Sequence, residues 1–451
     1  MTGSIEVAPP SGDRMAGALP AGYAPVGVGL LLAIYALNYV DRQVINILAE
    51  PIKQELRLSD SQLGLLTGLA FAVIYSTLGL VIARLADRSH RPRIIVAAVC
   101  VWSAFTVACG FSQTYLQLFL LRIGVGFGEA GGAPPSHSLI SDYVPRSRRA
   151  SALAIFAMGI PIGTLIGLAF GGLVADAFGW RAAFLIAGAP GLLAALAAHL
   201  LLKEPRSGQQ AENEHTPRVA EVVRELRSKR AFWCVSFGGA MMSFVGSGNG
   251  AFLASFFFRR HGEAIRGIAA QVNALLGTHL GSVSIVGILM GLTAGFGGII
   301  GTTIGGRIAD GATRGNDLRA YALVPAIAAV IQYPFFVSAM LVPGAVAAFT
   351  LLAVPAVLNT MWYGPTFAAV QSLVHPRTRT TAAALLQLVA VLVGVGLGPL
   401  ATGLLSDRLG RVFANPGLGL QWSMILCGLA AFLAAGLFVA GARFIRDDVV
   451  A

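Results

Sequence analysis

The chain has 451 residues, of which 56% are hydrophobic and only 12% charged, with a formal net charge of +11. Soluble domains carry roughly 25% charged residues, so this composition excludes one. The excess Lys and Arg sit in short stretches between apolar runs, which orients a membrane protein and excludes a nucleic-acid partner.

Residues 1–24 are rich in Gly, Pro, Ser and Ala and lack the apolar core of a cleaved signal peptide. They are expected to form a disordered tail. A spanning helix needs ~20 apolar residues. Runs meeting that need predict spans at 26–48, 63–86, 94–112, 115–142, 151–175 and 182–202. Six more follow at 232–258, 283–309, 320–342, 345–374, 380–406 and 420–442. The predicted fold is an all-α membrane protein of twelve transmembrane helices in two pseudo-symmetric six-helix halves. The expected organisation is a first half over 25–203, a linker over 204–231, a second half over 232–445 and a tail over 446–451. Within the linker, Val219, Val222, Val223 and Leu226 fall at helical spacing with charges on the other face. That pattern predicts an amphipathic helix strapping the halves together.

Placing both termini in the cytoplasm puts 22 Lys and Arg on the cytoplasmic side and 8 outside, with Arg42 and Arg122 inside spans. The bias fixes the expected orientation. The halves also repeat. Pro145 to Asp176 aligns with Pro376 to Asp407 at a constant offset of 231, with 9 of 32 positions identical. Arg84-Leu-Ala-Asp87 is echoed by Arg307-Ile-Ala-Asp310. Parallel repeats of this kind place a binding site at the midplane between the halves.

Four charges fall deep within predicted spans: Asp41, Arg42, Arg122 and Glu129. A charge at the bilayer centre costs at least ~2.5–3.5 kcal/mol, so these are expected to serve function. Arg122 and Glu129 are seven residues apart and share a helix face, while Asp41 and Arg42 diverge by roughly 100°. Asp41 and Glu129 are the expected proton carriers. Arg42 and Arg122 are their expected switches and anchors for a substrate anion. Tyr35 and Asn38 precede Asp41 on span 1 and are further substrate candidates.

The second half has no comparable charge. Its cavity candidates are Phe244, Ser247 and Asn249 on span 7, then Asn359, Trp362, Tyr363 and Gln371 on span 10, with Gln387 on span 11. Charge in one half and apolar lining in the other fits an amphipathic substrate. Gly124-Val-Gly126-Phe-Gly128 follows no strand and reads as close helix packing. The four cysteines lie in apolar runs without metal-ligand spacing. No cofactor, metal site or enzymatic constellation is expected, and the chain is expected to act as a monomer among membrane lipids.

The loop after span 2, Ala83-Arg-Leu-Ala-Asp87-Arg88-Ser-His-Arg91-Pro-Arg93, resembles the signature of the major facilitator superfamily. Ala83 and His90 stand where that signature has Gly. The resemblance implies a cytoplasmic gate at Asp87, Arg88, Arg91, Arg307 and Asp310. Asn38-Tyr39-Val40-Asp41-Arg42 resembles a motif of the Spinster family of lysolipid and sphingosine-1-phosphate transporters. The run from Arg122 to Glu129 favours the same family. Gly167-Leu-Ala-Phe-Gly171-Gly172 is similar to an antiporter motif, with Leu168 in place of its Pro. The implied function is proton-linked transport of an amphipathic, lysolipid-like anion by alternating access. An organic-acid:proton symporter is the alternative, and a drug exporter the third reading.

Overall fold

The computed structural model describes residues 20, 22–205, 219–313, 317–375 and 378–448. Among them every regular element is helical. Most of the expected tail and residues 206–218 of the linker lie outside the described residues.

Ten helices are long and apolar enough to cross a membrane. One of them, Ser151–Leu201, holds two spans divided at Gly179, whose φ of 83° is easily reached only by glycine. The broken pair Tyr115–Glu129 and Ala133–Tyr143 supplies the remaining span, so twelve are present as predicted. Span 1 runs over Tyr23–Leu56, past the predicted end at 48. Its extra turns carry Glu50, Lys53 and Glu55, whose polarity reads as loop in sequence. Tertiary ion pairs to Arg259, Asp60 and Arg181 let the helix continue. Span 7 likewise continues through a break at His261 to Leu276.

Both chain ends lie on one face of the bundle, called here the terminal face. Tyr23 donates to Leu201 C=O at 2.9 Å, and Asp448 Oδ2 accepts Ala231 N–H at 2.7 Å. The opposite face is the distal face. The halves meet along spans 5 and 8, spans 2 and 11, and spans 1 and 7. The helix Val219–Arg227 docks on the second half, burying Val222 and Leu226 against Phe232, Leu373 and Leu386. Val223 stays exposed, so the apolar stripe is narrower than its sequence.

Two spans break where they meet the interior. Span 4 opens between Glu129 and Ala133, and span 10 between Leu358 and Tyr363. Span 2 has a π turn at Leu65–Leu69 and span 11 one at Ala390–Gly396. Such turns often mark functional sites.

Candidate substrate cavity and its charge cluster

A cavity of about 1000 Å³ lies between the halves. Its exposed wall residues, Ile155, Met158, Ile299, Thr302 and Thr303, lie toward the terminal face. Its distal end is walled by buried Thr164, Leu168, Ala251, Phe349 and Leu352. The cavity is therefore open toward the terminal face.

Span 1 divides its two charges between wall and interior. Arg42 lines the cavity, and its Nε donates to Glu129 Oε2 from span 4. Three rings surround its guanidinium: Tyr39 at 5.1 Å, Phe71 at 4.6 Å and Tyr75 at 4.5 Å. A cation held this way keeps a favourable setting even when an anion draws it aside. Asp41 points about a third of a turn away. It is 1% exposed, accepts from Thr106 Oγ1 at 3.2 Å, and takes no place in the cavity wall. Arg122 donates to Asp41 C=O at 3.4 Å and borders the cavity. Sequence spacing put Arg122 and Glu129 on one face. The tertiary structure adds the pairing of Arg42 with Glu129, seated where span 4 breaks.

Asn38 and Tyr35 do not reach the main cavity. Asn38 is buried beside Glu129, and Tyr35 stacks on Phe156 at 4.3 Å; both line a small separate void. In the second half, Asn249, Asn359, Trp362 and Tyr363 all line the cavity. Trp362 and Tyr363 stack at 4.1 Å, and Asn359 Nδ2 donates to Met242 C=O at 3.4 Å. Phe244 is a correction. On span 7 the cavity wall includes Ser243, Gly246, Ser247, Asn249 and Gly250, and not Phe244. The backbone at 244–248 packs closely on span 11, where a Cβ on Gly398 would lie 2.5 Å from the Phe244 carbonyl. Gln371 and Gln387 are likewise absent from the wall.

Several wall residues escaped the sequence reading. Tyr39, Gln43 and Asn46 line the cavity with Arg42, at the i, i+3, i+4, i+7 spacing that one helix face produces. That spacing was visible in the sequence. Gln332, an amide inside the apolar run of span 9, could have been found by its polarity, whereas Phe336 and Met290 carried no signal to single them out.

Among the described side chains, the expected gate residues Arg91, Arg307 and Asp310 form no contact between the halves. The side chains of Asp87 and Arg88 lie outside the described residues. Arg91 is buried within the first half, paired with Asp142 and Glu204, with Ser138 at 2.9 Å. It braces spans 3, 4 and 6. Arg307 is exposed, and Asp310 accepts from Tyr321 OH at 3.2 Å within the second half.

Among the described residues, the hydrogen bonds and ion pairs that cross between the halves lie at the distal face. Arg259 of span 7 donates to Glu50 Oε2 at 2.8 Å and Asp60 Oδ1 at 2.8 Å, both from the first half. Asp60 also pairs with Lys53 and accepts from Ser406 Oγ at 2.6 Å. Sequence reading placed these residues in outer loops and attached no role to them.

A family model described as Major Facilitator Superfamily matches residues 31–394. An MFS-type efflux pump of Mycolicibacterium smegmatis is 32% identical over 94% of each chain. The sphingosine-1-phosphate transporter SPNS2 of Danio rerio is 26% identical, covering 94% of this chain and 85% of its own. A crystal structure of a bacterial homolog of the human lysosomal transporter Spinster, in an inward-facing and unoccupied conformation, superposes with a TM-score of 0.80. It is 30% identical over 96% of this chain and 100% of that one.

Proposed function

The chain belongs to the Major Facilitator Superfamily, and we propose that it carries an amphipathic, lysolipid-like anion by proton-linked alternating access. It is a transporter of the Spinster type and not an enzyme. The observation that carries the finer reading is the Arg42–Glu129 pair, whose guanidinium lines a cavity with a neutral opposite wall while its carboxylate is buried behind it. An anionic headgroup competes with Glu129 for Arg42, with Arg122 as a second anchor. A carboxylate that loses its cation in a dry setting is neutralised by a proton instead. Asp41, held by Thr106 next to Arg122, is the second carrier. The apolar tail lies against Phe336, Leu352 and Trp362 of the second half.

The basic bias supports cytoplasmic termini, an orientation in which the open cavity faces inward. Cysteines at Gly262 and at His90 test this. Reagent outside intact cells should label the first and spare the second; the reverse pattern sinks the orientation. Substrate class is tested in proteoliposomes by uptake and proton flux with a lysolipid series and small carboxylates. Affinity that rises with chain length supports the lipid reading. Full competition by small carboxylates, with no dependence on chain length, replaces it with an organic-acid:proton symporter. Drug efflux is a second reading, favoured by the mycobacterial relative. It stands if cationic drugs, and not lysolipids, drive proton exchange.

A further inference from the structure

The repeat ends on an aspartate in each half, Asp176 and Asp407, and the charge cluster uses neither. Their surroundings are built from the same elementary need. A helix N-terminus leaves its first backbone N–H groups without intrahelical acceptors. In span 2 a capping box at Ser59 satisfies part of that need: Ser59 Oγ accepts Gln62 N–H, and Gln62 Oε1 accepts Ser59 N–H. The N–H groups of Asp60 and Ser61 remain. Asp407, from span 11 of the opposite half, accepts both, at 2.9 and 2.8 Å.

Span 8 is the repeat partner of span 2 at an offset of 223, which carries Asp60 and Ser61 to Val283 and Ser284. Asp176, from span 5 of the first half, accepts the Val283 and Ser284 N–H groups at 3.4 and 2.6 Å. The first half therefore caps a helix of the second, and the second caps the equivalent helix of the first. The packing beneath each carboxylate follows the same rule. A Cβ on Gly172 would lie 2.5 Å from the Val283 carbonyl, and one on its repeat partner Gly403 would collide with the Asp60 carbonyl. Gly281 leaves the space that the Asp176 carboxylate fills.

We propose that Asp176 and Asp407 form a reciprocal latch that holds the distal face closed, each carboxylate capping a span of the opposite half. This rests on the alternating-access reading. Opening the distal face separates span 5 from span 8 and span 11 from span 2. Each carboxylate then leaves its two N–H groups to water. Because the two caps are related by the repeat, they break together. The latch differs in kind from the Arg259 cluster, which joins side chains and shares Asp60 with the Asp407 cap, whereas each latch carboxylate caps backbone N–H groups.

The test uses the full chain in lipid nanodiscs, in a background without native cysteines. Spin labels at Gln113 and Phe413 report the distal gap, and labels at His90 and Ala312 the terminal gap. Asp176→Ala and Asp407→Ala should each raise the distal-open population by about 3-fold, and the double variant by about 10-fold. Asp→Asn variants, which keep an acceptor but lose the charge, should fall between these and wild type while preserving the fold. The terminal pair should close as the distal pair opens. The latch is overturned if the alanine variants keep the wild-type distal distribution, or if only one of the two shifts it. The transport reading fails separately if neither pH nor lysolipid moves either pair in wild type. In that event the latch survives only if the alanine variants still open the distal gap.

Discussion

Span 4 and span 10 show how two halves with one architecture come to differ in chemistry. Both break at the cavity, and the repeat offset of 231 carries Glu129 to Thr360 and Arg122 to Ala353. The break is shared; the charge is not. One half presents a guanidinium paired with a carboxylate, and the other an amide, a hydroxyl and aromatic rings in the same place. Duplication thus supplied a broken helix at the midplane twice, and one copy became the ionic end of the site. The distal face reverses the lesson. There the repeat carries function in both copies, because a backbone cap depends on helix position more than on neighbouring side chains.

The first half is most exposed to loss of its pair. Arg42→Ala takes the only paired cation from the buried Glu129 carboxylate, which must then take up a proton or stay unpaired, and removing one partner of a buried pair costs about 3–5 kcal/mol. Thermal unfolding in detergent should drop sharply, and proton-linked uptake should vanish. Glu129→Gln keeps the shape and should fold while uncoupling transport from proton flux. Wild-type stability for Arg42→Ala would show that the pair is not the ionic core of this half.

The second half lends one buried cation across the interface, and Arg259→Ala removes it. Glu50 and Asp60 then face each other with Lys53 alone beside them. The distal-open population, read by the same spin-label pair, should grow by about 10-fold or more, from roughly 1.5–3 kcal/mol for a charged hydrogen bond. An unchanged distance distribution would remove Arg259 from the distal seal.

A smaller effect tests the neutral wall. Each methylene buried contributes ~0.8 kcal/mol, roughly 4-fold in affinity. Leu352→Asn should flatten the rise of lysolipid affinity with chain length and leave small-anion competition unchanged. A slope equal to wild type would place the tail elsewhere. The smallest effect belongs to the rings around Arg42. Tyr39→Leu should weaken anion binding by about 2- to 5-fold, consistent with ~0.5–1 kcal/mol for one cation–π contact, and Tyr39→Phe should restore it. Equal losses in both would point to the Tyr39 hydroxyl instead of its ring.

The sequence by itself determined the class, the twelve spans and the two-fold repeat. Apolar length and basic loops are local properties that the bilayer reads segment by segment. It also singled out Asp41, Arg42, Arg122 and Glu129, because a charge inside an apolar run is conspicuous without any partner in view. It could not pair them: Arg42 meets Glu129 across 87 positions, a distance that only helix packing closes. Phe244 lies outside the cavity wall for a related reason. Helical spacing gives relative angles along one span but no absolute direction, so Ser247 and Asn249 reach the cavity wall while Phe244 does not. The distal seal was hidden more deeply. Glu50, Asp60, Asp176, Arg259 and Asp407 look like ordinary loop-end charges in sequence. Only the closing of two halves against each other brings carboxylates to helix ends and a guanidinium that belong to the other half, and that closure is a tertiary event.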